Sequence, residues 1–410
     1  MDNINAGDTA WVLACSALVM VMTPGLGLFY AGMVRRKNAL ATILQSFIMV
    51  GIVGLLWVVC GYSLAFGKDH WGVIGSLDWV MLRNVGLTPN PDYAATIPHQ
   101  AFVVFQAMFA VITPALITGA FAERMRFKAF LIFAVIWSLA VYCPVAHWVW
   151  GTGGWLRNLG VVDFAGGVVV HISSGIAALC CAIVVGSRKG YNREEFMPHN
   201  LTMTLIGTGL LWFGWFGFNA GSALAADSVA ASAFLATNTA GATAAVAWTL
   251  LEWCHRGKPT ALGAATGAVA GLAAVTPASG FISPTAAVVI GIVVTFICYF
   301  AIMLKSRLNY DDSLDVFGVH GVGGIWGVLA AGLFATSAIN PAITENGLFA
   351  GGGALFVKQL IAVVVVSAYS LVITFICLKL TGAITPLRVE KEDEETGLDL
   401  SLHGEVGYRL

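Results

Sequence analysis

The sequence predicts an all-α integral membrane fold, on the evidence of composition, the length of the apolar runs and the sidedness of the basic residues. Of 410 residues, 58% are hydrophobic and 10% are charged, whereas soluble domains carry about 25% charged residues. Crossing a bilayer as a helix takes about 20 apolar residues, and eleven such stretches follow one another. They lie near 11–34, 40–65, 100–121, 129–150, 165–186, 201–225, 229–252, 260–278, 284–304, 315–337 and 351–381. Of the 21 Lys and Arg, all but Lys68, Arg83, Arg157 and Lys358 fall in alternate loops or in the tail. Loops on the cytoplasmic side are the ones enriched in these residues. The N-terminus is therefore expected outside, the C-terminus in the cytoplasm, and the protein in the cell (inner) membrane. A missed or extra helix would scramble the bias, so sidedness and span count support each other.

Residues 1–382 read as the transmembrane domain and 383–410 as a cytoplasmic tail. The opening MDNINAGDTAW has no basic residue before the first apolar run, which points to a short outer segment leading into helix one rather than a cleaved signal. Residues 66–99 carry LDWVMLRNVGLTPNPDY and are expected to fold over the outer surface. The tail is polar and acidic, but GLDLSLHGEVGY keeps apolar residues and glycines in a turn-like pattern that suits packing on the inner face. An internal echo links LFYAGMV at 28–34 to GFNAGSA at 217–223, and DFAGGVVVHI to DVFGVHGVGG. Five helices separate each pair, so two five-helix halves would be inverted, with a final helix added. Transporters built this way place the substrate path near the midplane. The 47 glycines serve mainly to let helices approach closely.

Net charge is −1, so no bulk field argues for nucleic acid. The eight cysteines show no metal-ligand spacing and read as packing residues. No cofactor or metal is expected. Asp163 opens the fifth helix, where an Asp commonly caps free backbone N–H groups. His171 lies eight residues on, about 12 Å along a helix and roughly 80° around it. The two are not a dyad. His320 sits at a corresponding depth in the second half, whereas His70, His99, His147, His199, His255 and His403 fall in loops, in the tail or near helix ends. Paired intramembrane histidines, one per half, mark a pathway by default. Phe105 and Phe109 share a helix face at i, i+4. Trp150 stands at the outer boundary, and GWFGFNAGSA supplies Trp215, Phe218 and Ser222.

PHNLTMTLIGTGLLWFGWFGFNAGS, DFAGGVVVHI, DVFGVHGVGG, GAFAERMRF and GLDLSLHGE, in that combination, resemble the Amt/Mep/Rh ammonium transporters, on the bacterial Amt branch. The resemblance runs from about 7–13 to 403–408. It implies eleven helices, a homotrimer with one pore per subunit, and a PII-type nitrogen regulator docking at the cytoplasmic face. It also assigns roles. Phe109, Trp150 and Ser222 resemble the outer recruitment site, with Asp163 as a supporting acid that does not touch the ion. Phe105, Phe109 and Phe218 resemble the gate, and His171, His320 and Trp215 the pore lining.

These residue types suit ammonium, a small cation with four N–H donors. An aromatic ring attracts a cation by about 0.5 kcal/mol when exposed and about 2 when desolvated. Moving an ion into a low-dielectric medium costs tens of kcal/mol by idealised estimates. Rings can therefore concentrate the ion at the mouth but cannot carry it through. Deprotonation, passage of ammonia along the imidazoles and reprotonation follow as the expectation, with potassium excluded because it has no proton to give up. Three rivals remain: a membrane ammonium sensor with little transport, disfavoured by the short end of the chain; an intramembrane metalloenzyme, for which no HExxH or GxSxG run exists; and a channel for another neutral gas. The protein is not expected to be an enzyme.

Overall fold

A computed structural model describes residues 3–408. The eleven helices are α1 Ala6–Met33, α2 Arg36–Phe66, α3 His99–Phe121, α4 spanning 127–150, α5 Gly167–Val185, α6 Leu201–Ala220, α7 Ser228–Arg256, α8 Ala261–Val275, α9 Pro284–Leu308, α10 Phe317–Phe334 and α11 Ala354–Ile384. Ten are long and apolar enough to cross a membrane. α8 has only 15 residues, but it is buried among other helices and need not match the lipid thickness. A helix lies over each of the eleven expected stretches, with ends displaced by a few residues.

Glycine lets α1 and α6 pack antiparallel. A Cβ at Gly32 would strike Thr204 and Asn200 at the start of α6, and one at Gly221 would stand 2.7 Å from Cys15 Cβ near the start of α1. These glycines hold the same place in the two echoed motifs. Each motif thus closes on the first turns of the other helix.

The second echo has a different register from the one expected. Pairing DFAGG with DVFGV matches Asp163 to Asp315. In the structure Asp312 is the counterpart: it stands eight residues before His320, as Asp163 does before His171, and its Oδ2 accepts the Phe317 N–H at 2.7 Å. Both helices begin with a wide π turn, Gly167–Ile172 in α5 and Phe317–Gly321 in α10, and each turn contains its histidine. Such turns are rare and concentrate at functional sites. The two helices cross where Gly175 meets the backbone of Gly321, a contact that leaves no room for a Cβ. That crossing brings His171 to His320.

Residues 66–99 cover one end of the bundle, with a short antiparallel hairpin pairing β1 Asp69–His70 with β2 Ile74–Gly75. At the other end, the basic loops close on a buried ionic network. Glu123 accepts from Asn38 Nδ2 at 2.8 Å, Arg35 Nε at 3.0 Å and Arg188 Nη1 at 3.1 Å. Arg188 also forks onto Asp311. Arg124 is fully buried and donates to the carbonyls of Ala120, Ala122 and Gly186. Burial pushes the Arg124 guanidinium down to about 10. Burial works to raise the Glu123 carboxyl, but Arg188 and Arg35 hold it below its ordinary value.

The tail is ordered against this face. It forms α12 Lys391–Thr396 and α13 Leu398–His403. Asp399 accepts the N–H groups of Leu40 and Ala41 at 3.1 and 2.8 Å, capping α2 from 358 residues away in sequence. Leu398 donates to Asn38 Oδ1 at 2.8 Å, and the Tyr408 hydroxyl meets His199 Nε2 and Asn200 Nδ2.

Candidate substrate pathway

Three cavities lie in series. The outermost, about 580 Å³, is walled by Phe109, Trp150, Asp163 and Ser222 among others. The middle one, about 10 Å³, is bounded by Phe218, Trp215, His171 and His320 with aliphatic neighbours. The third, about 40 Å³, shares His320 and Val269 with the middle one and continues past Tyr30 to Asp315. Holding one water takes about 10–15 Å³, so the middle space is barely open.

Between the first two cavities stand Phe109 and Phe218, stacked at 4.2 Å between centroids with 29° between planes. Trp150 meets Phe109 edge-on at 5.8 Å. Phe105 is fully buried and packs against Phe109 at 5.0 Å. It lies behind the stacked pair and is absent from the walls of all three cavities.

Ser222 follows the end of α6, and its Oγ donates to the Phe218 carbonyl at 2.9 Å. Its oxygen lone pairs are left free as acceptors. Trp150 Nε1 donates to the main-chain carbonyl of Asp163 at 2.9 Å. The Asp163 carboxylate is fully occupied. Oδ1 accepts from Gly166 and Gly167 at 2.9 and 2.6 Å, and Oδ2 from Val168 and Val169 at 2.8 and 3.1 Å. Burial pushes this carboxyl up, and the four N–H groups oppose that shift. Gly166 makes the turn possible with φ of 110°, a conformation that only glycine adopts readily.

Deeper in, the His171 and His320 rings are nearly coplanar at 13°, with their Nδ1 atoms 3.3 Å apart. A hydrogen bond between two such nitrogens needs one donor and one acceptor, so the rings hold opposite tautomers. His171 Nε2 is buried with no partner among the described residues. Trp215 lies parallel to His171 at 5.7 Å and is held by its Nε1 bond to Thr276.

Two expectations need correction. His171 and His320 are not alone in being buried, since His99 and His147 are too. His99 pairs with the Tyr62 hydroxyl through Nε2, and His147 uses both ring nitrogens, on the Ala65 carbonyl and Asp69. The 66–99 loop covers the helix ends, so position along a helix does not measure burial. The sequence reading also passed over Asp312, although DSLDVFGVH repeats the spacing of DFAGGVVVH. Burial pushes the Asp312 carboxyl up to about 6.

A helix bundle enclosing a narrow, interrupted path with an aromatic mouth and paired imidazoles defines a membrane transport protein. Residues 10–408 match the model of the Ammonium Transporter Family, and the chain belongs to that family, which is one of transport proteins rather than enzymes. It is 52% identical over 404 residues to an ammonium transporter of Bacillus subtilis, covering 98% of each chain. It is 48% identical to ammonium transporter Amt1 of Archaeoglobus fulgidus, covering 98% of this chain and 99% of that one. Among solved structures, Saccharomyces cerevisiae Mep2 superposes with a TM-score of 0.89 at 35% identity, covering 95% of this chain and 89% of that one. A protein described as a sensor Amt superposes with a TM-score of 0.89 at 30% identity, covering 97% and 98%.

Proposed function

We propose that this chain transports ammonium, recruiting the cation in the outer cavity and conducting ammonia through the pore. The observation that carries this reading is the order of the three cavities, from a roomy aromatic mouth through a stacked phenyl seal to a space lined by imidazole. The rings of Phe109 and Trp150 and the acceptor lone pairs of Ser222 suit a small cation with N–H donors. The seal excludes the hydration shell, and the middle space offers no counter-charge. Carrying a charge through it would meet the full desolvation cost, tens of kcal/mol by idealised estimates. Neutral ammonia meets a far smaller one, and the unpartnered Nε2 of His171 gives it a hydrogen-bond partner, donor or acceptor according to the ring's tautomer. Separate proton transfer completes the scheme.

The basic face with its docked tail is assigned to the cytoplasm of a cell (inner) membrane, where a PII-type regulator would meet it. Assembly with further copies, a homotrimer by the family resemblance, is supported by α7. Its Asn238 is exposed more than two turns into the helix, beside an apolar groove formed by Trp11, Phe216, Phe234 and Leu235. A bare amide in hydrocarbon is costly, and a second copy would cover it. Native mass spectrometry in mild detergent reads this directly: a monomer overturns it.

The transport reading is tested in a strain lacking ammonium uptake, grown at low ammonium and mildly acidic pH, where leaking ammonia is scarce. Rescue is expected. Its absence with well-expressed protein favours the sensor reading, which the similarity to the sensor Amt structure keeps in view.

A further inference from the structure

The outer cavity has a wall residue that the scheme above does not use. Gln106 lies on α3, one residue after Phe105 and three before Phe109, so its side chain shares the Phe109 face of the helix. It lines the outer cavity together with Phe109, Trp150 and Ser222. The residue is only 8% exposed, yet its Oε1 has no hydrogen-bond partner among the described residues. Burying an acceptor without a partner destabilises the fold. A Leu or Met there would fill the same space without that cost.

The neighbouring acceptors are accounted for. All four hydrogen bonds to the Asp163 carboxylate come from backbone N–H groups, so it has no acceptor left for a ligand. Asp92 and Asp227 also line the cavity but are solvent-exposed. The Asn340 amide oxygen takes the Ala342 N–H and the Tyr93 hydroxyl takes the Thr152 N–H, while Thr344 is exposed. That leaves Ser222 Oγ and the Gln106 amide as the uncommitted side-chain oxygen acceptors in the cavity wall. A turn about its last bond exchanges the amide oxygen and nitrogen without moving the rest of the side chain.

We infer that Gln106 is an ammonium-positioning residue, its amide oxygen accepting one N–H of the cation while Ser222 Oγ and the faces of Phe109 and Trp150 meet the other three. This rests on the transport reading and adds a specificity element to it. The neutrality of the amide matters. A carboxylate here would stabilise the charged form of the ligand and oppose proton release. An amide dipole holds the cation more weakly and lets it deprotonate.

Gln106→Leu and Gln106→Glu separate this role from a structural one. The readout is the concentration dependence of ammonium-evoked current in proteoliposomes with matched protein content. A hydrogen bond to a charged group contributes about 1.5–3 kcal/mol, so Gln106→Leu should raise KM at least about tenfold with little change in the maximum. Gln106→Glu should lower both KM and the maximum. A Leu variant with unchanged KM, whatever its maximum, overturns the inference. If the Leu variant is not monodisperse, the Glu variant decides, and an unchanged KM overturns it equally. If wild type carries no saturable current, the transport reading fails by itself. Calorimetric titration of wild type and Gln106→Glu with ammonium chloride then tests Gln106 alone, and equal affinities overturn it.

Discussion

Replacing Asp163 by Asn keeps size and shape but removes the charge and half of the acceptor capacity, so it isolates what the carboxylate does. In the wild type its two oxygens take four backbone N–H groups between 2.6 and 3.1 Å. Asn retains one oxygen and turns an NH₂ group toward the other two donors. Two buried N–H groups then lose their acceptor at about 1–3 kcal/mol each, or about 2–6 kcal/mol together. Loss of negative charge at a helix start adds about 0.3–1 kcal/mol. The damage spreads because the Asp163 carbonyl holds Trp150 Nε1 and Gly167 packs against Pro277 with no room for a Cβ. Purified Asp163→Asn should melt well below wild type by size-exclusion fluorescence and should lose ammonium-evoked current. Suppose instead that it melts with wild type and loses only ammonium affinity. Then the carboxylate serves the ion directly, and assigning it to the backbone is wrong.

Other outcomes follow from the same geometry. Glu123→Ala strips the buried partner from Arg35 and Arg188, and removing one member of a buried pair costs about 3–5 kcal/mol. Because the folded Glu123 carboxyl lies below its ordinary value, its stabilisation is complete above that ordinary value and fades as pH falls toward the folded one. The melting gap between wild type and variant should therefore be wide at neutral pH and close on acidification; a gap independent of pH counts against the pairing. His171→Ala should lose ammonium-evoked current, and wild-type current with potassium still excluded would overturn the histidine role. Gly221→Val forces a Cβ to within 2.7 Å of Cys15 Cβ and 2.8 Å of Phe105 Cε2. Overpacking of this kind costs about 1–3 kcal/mol, so its melting temperature should fall, and an unchanged value would mean that the α1–α6 contact can yield.

The sequence by itself determined the helices and their number. Those properties depend on how each segment partitions between water and lipid, and partitioning is local. It also exposed Asp163 and His171 as separate posts, because eight residues along a helix cannot bring two side chains together. Only the tertiary structure decided which groups meet. The approach of His171 to His320 depends on Gly175 crossing Gly321, two glycines unremarkable among 47. The burial of His99 and His147 depends on a loop lying over them, and the order of the tail depends on Asp399 finding the first turn of α2. The unmet acceptor of Gln106 is visible only once its surroundings are known. Hydrogen-bond satisfaction belongs to atoms from distant segments, and no single stretch of chain carries it.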